Sequence, residues 1–558
     1  MASDEEKGSK PSIPGSPEIG EFSIEGHSDG LHRKLNNRQI QLVAIGGSIG
    51  TALFVSIGTG LAKGGPGSLL LAFTLYPLVL ACVNNSVAEM TVLMPVSGGF
   101  IRLAGHWVDD ALGFMAGWNF FLYEALLIPF EITAINLVLS YWNEGITKPG
   151  PTAAICAGVI ILYAAINVLA VRAYGEAEFW LSGGKVVLLF MLFFYTFVTM
   201  LGGNPKHDVY GFRYWKEPGA FAVFNGSTGD LGRFQGFLGS LWSAAFAVVG
   251  PEYVSMVAAE AKRPRTYIKT AFKTIYWRFG LFFFGSALCV GIVIPYNYPD
   301  LVAILTGEMT TSNAAASPYV MSMKMLGVNV LPDFVNALML TSIFSAGNTY
   351  TYCATRSLYG LALEGRAPRF LRKTWSNGVP IYCFCVVMLF PFLSFLQVGN
   401  GSKKVVGWLV DLITAGGIID YLVMNVTFLY YYRACKAQGI DRKTLPYYGR
   451  FQPYGTYIAL FVQTLVVIFY GYTAFTPWSV ESFFRNYTMQ LLAPVLFFGW
   501  KLFKRTKTVK PHETDLVWQR PSIDQYEASL THPPVGFWTE LGRLVGINRK
   551  SVPHDVDS

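Results

Sequence analysis

The sequence predicts an all-α polytopic membrane protein, and three observations carry that prediction. Only 14% of the 558 residues are charged, while 52% are hydrophobic; a soluble globular chain carries roughly a quarter charged residues. Apolar stretches follow one another along most of the chain. Lys and Arg are divided unequally between alternate connections. This balance excludes a disordered chain and an ordinary cytosolic enzyme. A net charge of +8 with no long basic stripe also speaks against a nucleic-acid binder.

The first forty residues are polar, with Pro11, Pro14, Pro17 and the acidic run Asp4-Glu5-Glu6. They lack the basic and apolar regions of a secretory signal, so 1–40 is expected to be a disordered cytosolic tail. Apolar stretches then lie at about 41–63, 69–93, 112–141, 152–171, 179–201, 237–259, 271–295, 334–360, 380–398, 405–432, 455–475 and 487–503. Most are about 20 residues or longer, enough to cross ~30 Å of hydrocarbon at about 1.5 Å per residue. The expectation is a transmembrane domain over 41–503 with about 12 helices, followed by a cytosolic tail over 504–558.

Orientation follows from the basic residues. With the N-terminus cytosolic, the inner connections and membrane-proximal tails hold 26 Lys and Arg, against 10 in the outer connections. Both termini are therefore expected inside. The seven cysteines all lie in or beside apolar stretches, which reads as buried small hydrophobes and not as disulfides or a metal site.

Two crossings are interrupted. The first contains Gly46-Gly47-Ser48-Ile49-Gly50-Thr51, and the sixth contains Gly250-Pro251-Glu252. Glycine lowers helix stability and proline removes a backbone donor. Non-helical backbone at membrane depth is tolerated only where protein buries it or it lines a cavity. Close packing and a simple kink would explain each segment alone. Crossings one and six, however, occupy matching positions if helices 1–5 and 6–10 form inverted repeats, and paired broken helices point to a transporter's central site. Freed N–H groups can hold a carboxylate and freed carbonyls an ammonium, which suits a zwitterionic amino acid.

Several ionisable residues lie within crossings although each costs about 2.5–3.5 kcal/mol at the bilayer centre: Glu124, Glu131, Lys185, Glu252, Asp411 and Asp420. Glu124 and Glu131, seven apart, share one helix face and suit a proton relay or cation path. Lys185 could pair with one of them; a structural buried ion pair is the alternative. Asp411 and Asp420 are nine apart and fall on opposite faces, with Asp411 near Lys403 and Lys404 at the outer surface. Glu89 and Arg102 flank the cytosolic end of the second crossing as gate candidates, and Arg263-Pro264-Arg265 reads as a cytosolic anchor. No P-loop, HExxH, zinc spacing or nucleophile elbow is present. With nothing to hydrolyse a nucleotide, the mechanism expected is secondary transport.

From about Leu31 to Glu527 the chain resembles the fungal amino-acid permeases, the yeast amino acid transporter family of the amino acid–polyamine–organocation superfamily. The resemblance rests on Leu31-His32-Arg33-Lys34-Leu35, Ile45-Gly46-Gly47-Ser48-Ile49-Gly50-Thr51, Pro95-Val96-Ser97-Gly98, Pro129-Phe130-Glu131-Ile132-Thr133-Ala134, Tyr174-Gly175-Glu176-Ala177-Glu178-Phe179-Trp180 and Ser345-Ala346-Gly347-Asn348. It implies a LeuT-like fold with a 5+5 inverted repeat plus two helices, helices 1 and 6 broken. It also implies proton-coupled import of amino acids at the plasma membrane, driven by the proton gradient with no cofactor. The backbone of Gly47, Ser48, Ile49, Gly50 and Thr51 would hold the substrate carboxylate, with Phe246, Ala247 and Gly250 on the other side and Phe246 closing over it. Glu131 and Lys185 would couple protonation to gating, with Glu252 and Glu124 as further proton-coupling candidates.

Ala52 stands where the family usually has glycine, Val248 where an aromatic is usual, and Pro251 where a small or β-branched residue is commoner. With Asp411 and Asp420 these departures resemble a subgroup near the polyamine and carnitine transporters of the family. A transport-inactive nutrient sensor is a third reading, although family sensors tend to carry a much longer N-terminal tail. The partners expected are a small-molecule substrate, an amino acid first, and membrane lipid. Lys7 and Lys10 would be sites for ubiquitin-ligase adaptors on the cytosolic tails.

Overall fold

The computed structural model describes residues 33, 35–46, 49–169, 171–306, 317–375, 378–530 and 532–544. Gly47, Ser48 and nearly all of the expected N-terminal tail, with Lys7 and Lys10, lie outside them. Among the described residues the chain is helical, and its β pairing is confined to two isolated bridges, Leu35 with Ala261 and Phe475 with Trp478.

Helix α1 (Asn37–Gly46) precedes a π-helical turn at Ala52–Ser56 that runs into α2 (Ile57–Leu93). Gly65 bends α2 just before Pro66, with φ 78° and ψ 173°. A Cβ there would also lie 2.8 Å from the Ala220 carbonyl oxygen, so both conformation and space call for glycine. A short α3 (Gly99–Trp107) leads to α4 (Asp110–Leu139), whose first turn is capped by Asp109 accepting from Ala111 N at 2.9 Å. Then follow α5 (Pro149–Leu169), α6 (Val171–Met200), α7 (Gly229–Ala247) and the one-and-a-half-turn α8 (Pro251–Met256). Helix α9 (Pro264–Arg278) continues through a π-helical segment into α10 (Gly285–Val293). Two short helices, α11 (Pro299–Thr306) and α12 (Pro318–Leu326), come before α13 (Leu331–Leu363). The remainder is α14 (Ile381–Val387), α15 (Gln397–Asn400), α16 (Ser402–Ala437), α17 (Tyr454–Phe469), α18 (Val480–Lys504), α19 (Arg520–Ser529) and α20 (Phe537–Leu544).

Eight described segments are long and apolar enough to cross a membrane, where the sequence led us to expect about 12. The difference has a physical cause. The first two apolar stretches are two helices that meet at the non-helical Gly65 and count as the single segment Ala52–Leu93, and the sixth is divided between α7 and α8. Helix α13 is diluted by polar residues such as Ser342, Ser345, Asn348, Thr349 and Thr351, all buried against neighbouring helices. Helix α18 carries Glu481, Arg485, Asn486, Lys501 and Lys504.

The molecule exposes large apolar side chains and buries several charged and polar ones. Ile161 of α5, Phe194 and Phe197 of α6, Phe461 of α17 and Val495 of α18 are exposed, whereas α4, α13 and α16 bury Glu124, Glu131, Asn348 and Asp420. An exposed apolar girdle of this extent fits lipid and not water. The chain is a multi-pass helical membrane protein.

Candidate functional site

The first helix break is built around Glu131. Pro129, two residues upstream, removes a backbone donor from α4, and Thr133 Oγ1 turns back to the Pro129 carbonyl at 2.7 Å. Glu131 is buried, and its carboxylate accepts from Thr51 Oγ1 at 2.5 Å and from the Thr51 backbone N–H. Glu131 thus caps the helix that restarts at Thr51, where unsatisfied N–H groups favour negative charge. Gly50 has to be small here: a Cβ would lie 2.9 Å from Glu131 Oε1 and 3.0 Å from Ala346 Cβ. The Ile49 carbonyl accepts from Ser342 Oγ at 3.4 Å. Buried Lys185, from α6, exerts its charge on Glu131. Ala52 sits in the right-handed π turn, so its Cβ meets no conformational penalty there.

The second break lies opposite. Helix α7 ends at Ala247, Val248 is extended (φ −90°, ψ 102°), and Gly250 takes φ 156° and ψ −44° before Pro251 opens α8. Glu252 closes the gap: Oε2 accepts from Gly250 N at 3.1 Å, and Oε1 accepts from the Tyr421 hydroxyl at 2.9 Å. Arg278 supplies a nearby positive charge to Glu252. Phe246 meets Phe130 edge to face at 5.4 Å, so the residue preceding Glu131 touches the end of α7. Of the expected site residues, Ile49, Gly50, Thr51, Glu131 and Lys185 come together at one break. Phe246, Ala247, Gly250 and Glu252 come together at the other, and α4 links the two.

Glu124 belongs to a different environment from Glu131. It is fully buried beside Glu252 and Asp420, and the Tyr253 hydroxyl stands close by. Asp420 Oδ1 accepts from Asn119 Nδ2 at 2.9 Å. Asp411 lies on the other side of α16, where it pairs with Arg485 at 2.6 Å; Lys404 packs over Trp408 instead. Arg278 and Tyr421 were not expected as site residues, because polar side chains in crossings declare no partner until helices are packed.

At the end of the molecule where α1 meets α20, ion pairs join separate elements. Glu89 receives two bonds from Arg442 at 2.6 and 2.7 Å, and Arg102 pairs with Glu364 at 2.5 Å. His106 and Arg102 hold the Glu364 carboxyl down at about 2, against the burial that alone would raise it. Arg366 pairs with Asp110 at 2.8 Å. Arg263 donates to the His532 carbonyl and Arg265 pairs with Asp524, so the Arg263-Pro264-Arg265 run grips the C-terminal segment as well as lying at this face.

A multi-pass bundle with two broken helices around buried charges defines a membrane transport protein. The comparisons with known proteins place it further. The amino acid permease family model matches residues 39–513. The general amino acid permease AGP2 of Saccharomyces cerevisiae is 41% identical over 92% of this chain and 89% of its own length. The dicarboxylic amino acid permease of the same yeast is 35% identical over 89% and 81%, and a proline-specific permease of Emericella nidulans 34% over 93% and 94%. This chain belongs to the amino acid permease family, whose members are transporters and not enzymes.

Proposed function

We propose that this protein imports amino acids across the plasma membrane by alternating access, coupled to protons. Twelve crossings in a LeuT-like 5+5 arrangement, with both termini cytosolic, give the reading its frame: each of the twelve apolar stretches contains helix where described, and the first and sixth are broken around Gly50 and Gly250. Contacts such as Asn37 Nδ2 to the Val535 carbonyl at 3.3 Å put the first and last described segments on one face. That face also gathers the basic connections, which the positive-inside rule assigns to the cytosol.

The observation that carries the proposal is the Glu131 cap on Thr51. A substrate carboxylate at the first break and the Glu131 carboxylate would compete for one helix N-terminus. Two anions in a site shielded from water repel strongly, and Lys185 offsets one of them. A proton on Glu131 removes the repulsion, so proton and substrate bind together. Phe246 would close over the substrate. The proton gradient supplies the energy without a cofactor; lipid surrounds the bundle, and the tails would meet ubiquitin-ligase adaptors. The named substrates of the relatives range from general to dicarboxylic to proline-specific, so they support amino acids as a class.

The test is uptake of labelled amino acids by transporter-deficient yeast producing this chain, with and without a protonophore. Uptake that collapses with the gradient supports the proposal. Amino-acid uptake that survives the protonophore removes the coupling. No uptake by protein shown at the cell surface favours a sensor.

A further inference from the structure

Five Asn-x-Ser or Asn-x-Thr triplets occur in the chain, beginning at Asn84, Asn225, Asn400, Asn425 and Asn486. Such a triplet accepts an N-linked glycan, a bulky group that needs a free surface. Four of the five sit on or against membrane helices. Asn84 and Asn425 are 0% exposed inside α2 and α16, and Asn84 Nδ2 donates to the Phe272 carbonyl at 3.1 Å. Asn486 is 9% exposed on α18 and donates to the Ser482 carbonyl at 2.8 Å. Asn400 ends α15, and the Ser402 of its triplet is already the first residue of α16. Asn225-Gly226-Ser227 is different. It lies in the connection between α6 and α7, where Asn225 and Gly226 form an exposed turn. Their φ angles, 60° and 70°, are the left-handed pair that an Asn-Gly turn adopts. A Cβ added at Gly226 or Gly229 would meet nothing within 4 Å, so the space around the tip is open.

We propose that Asn225 is a modification site that carries an N-linked glycan. The proposal rests on the orientation given above, which puts this connection on the outer side and so in the lumen of the secretory pathway while the chain is made. The base of the turn is fixed and its tip projects. Gly67 N donates to the Ala220 carbonyl at 2.7 Å, Ala222 N to the Gly64 carbonyl at 2.9 Å, and Phe224 N to the Gly232 carbonyl at 3.1 Å. The tip also stands clear of the hydrocarbon on both sides. Residues 201–224 separate it from the end of the crossing Phe179–Met200. On the other side, residues 229–236 of α7 precede the apolar stretch that begins at about 237, a rise of about 12 Å. That part of α7 carries the exposed ion pair Arg233–Asp230 at 3.1 Å, which belongs in water. The donor is an oligosaccharide linked to a polyprenyl pyrophosphate. The Asn225 amide nitrogen loses one proton and forms a bond to the sugar C1; the C1–O bond breaks, and the pyrophosphate leaves with the electron pair. Nothing is oxidised or reduced. Ser227 supplies the hydroxyl by which the transferring enzyme reads the triplet.

The test is to produce the full-length protein in yeast with a C-terminal tag that contains an acceptor triplet of its own, and to digest it with an endoglycosidase specific for N-linked glycans. The expected result is a gain in gel mobility equal to the loss of one glycan, with the modified peptide mass on Asn225 and the tag unmodified. Asn225→Gln should abolish the shift, and Asn400→Gln and Asn486→Gln should leave it. Ser227→Ala should also abolish it without altering the left-handed residue, and Ser227→Thr should restore it. A shift that persists in both Asn225→Gln and Ser227→Ala overturns the proposal. Absence of any shift, with the tag also unmodified, overturns the glycan and leaves the orientation standing. A modified tag with unmodified Asn225 overturns both. The glycan is added during synthesis, so each of these outcomes is read whether or not the protein takes up amino acids, and failure of the importer reading stays separate from failure of this one.

Discussion

Glu131 is the residue on which chemistry and architecture meet most closely. Its carboxylate takes the Thr51 hydroxyl and N–H, and it touches the space that Gly50 leaves open. Glu131→Gln keeps the shape and removes the charge, so the expected outcome is at least a ten-fold loss of uptake together with a flattened pH profile. Uptake assays between pH 5 and 7 would check it; an unchanged profile would remove Glu131 from the coupling. Thr51→Val deletes a hydrogen bond to a charged group, worth about 1.5–3 kcal/mol. A lower melting temperature of the purified protein is expected, with Thr51→Ser close to the original. Glu131 and Lys185 were legible in the sequence because charges inside an apolar stretch are conspicuous. Their division of labour was not: Glu124 shares a helix face with Glu131, yet lies against α8 and α16 while Glu131 lies against helix one and α6. Periodicity places a side chain on a face; which neighbour meets it depends on tilt and packing.

Among elements, the two breaks use glycine for different reasons. Gly50 is constrained by space, since Glu131 and Ala346 crowd any Cβ. Gly250 has room, its nearest neighbour to an added Cβ being Ile275 at 3.8 Å, but its φ of 156° is strained for other residues. Alanine at 250 should therefore cost about 1–3 kcal/mol of backbone strain and shift the capping N–H away from Glu252. Gly50→Ala should instead push Glu131 off Thr51. Melting curves combined with uptake separate the two: Gly250→Ala is expected to lower thermal stability, and Gly50→Ala to change the pH dependence of uptake as well. Both breaks were readable in the sequence, since Gly-Gly-Ser-Ile-Gly-Thr and Gly-Pro-Glu stand out from their apolar surroundings. The boundary between the first two crossings falls at Gly65, but the sharpness of that turn was not readable, because a glycine's φ leaves no trace in hydropathy.

At the scale of the whole molecule, the end where α1 meets α20 is held by charge across separate elements. The segment beyond α18 crosses this end: Trp107 Nε1 donates to the Asp515 carbonyl at 3.0 Å, and Trp518 stacks on His106 at 3.8 Å and lies under Arg102 at 4.8 Å. Further on, Glu527 accepts from Arg265 N at 2.9 Å and Glu540 from Arg38 N at 2.9 Å. The sequence showed only a polar tail here, because a segment that docks through backbone carbonyls and scattered acids has no hydrophobic period to read. Glu364 pairs with Arg102 and His106, and its carboxyl is held at about 2. An unfolded glutamate titrates near about 4.3. The folded value is the lower one, so the pair stabilises the protein fully above about pH 4.3, and that stabilisation is lost as pH falls towards 2. Glu364→Gln should therefore lower the melting temperature of the purified protein at pH 7, and the gap from the unaltered protein should narrow steadily below pH 4.3. A gap of constant size down to pH 3 would show that Glu364 acts through packing and not through its charge, and the ionic closure of this end would then have to be assigned to Glu89–Arg442 and Arg366–Asp110.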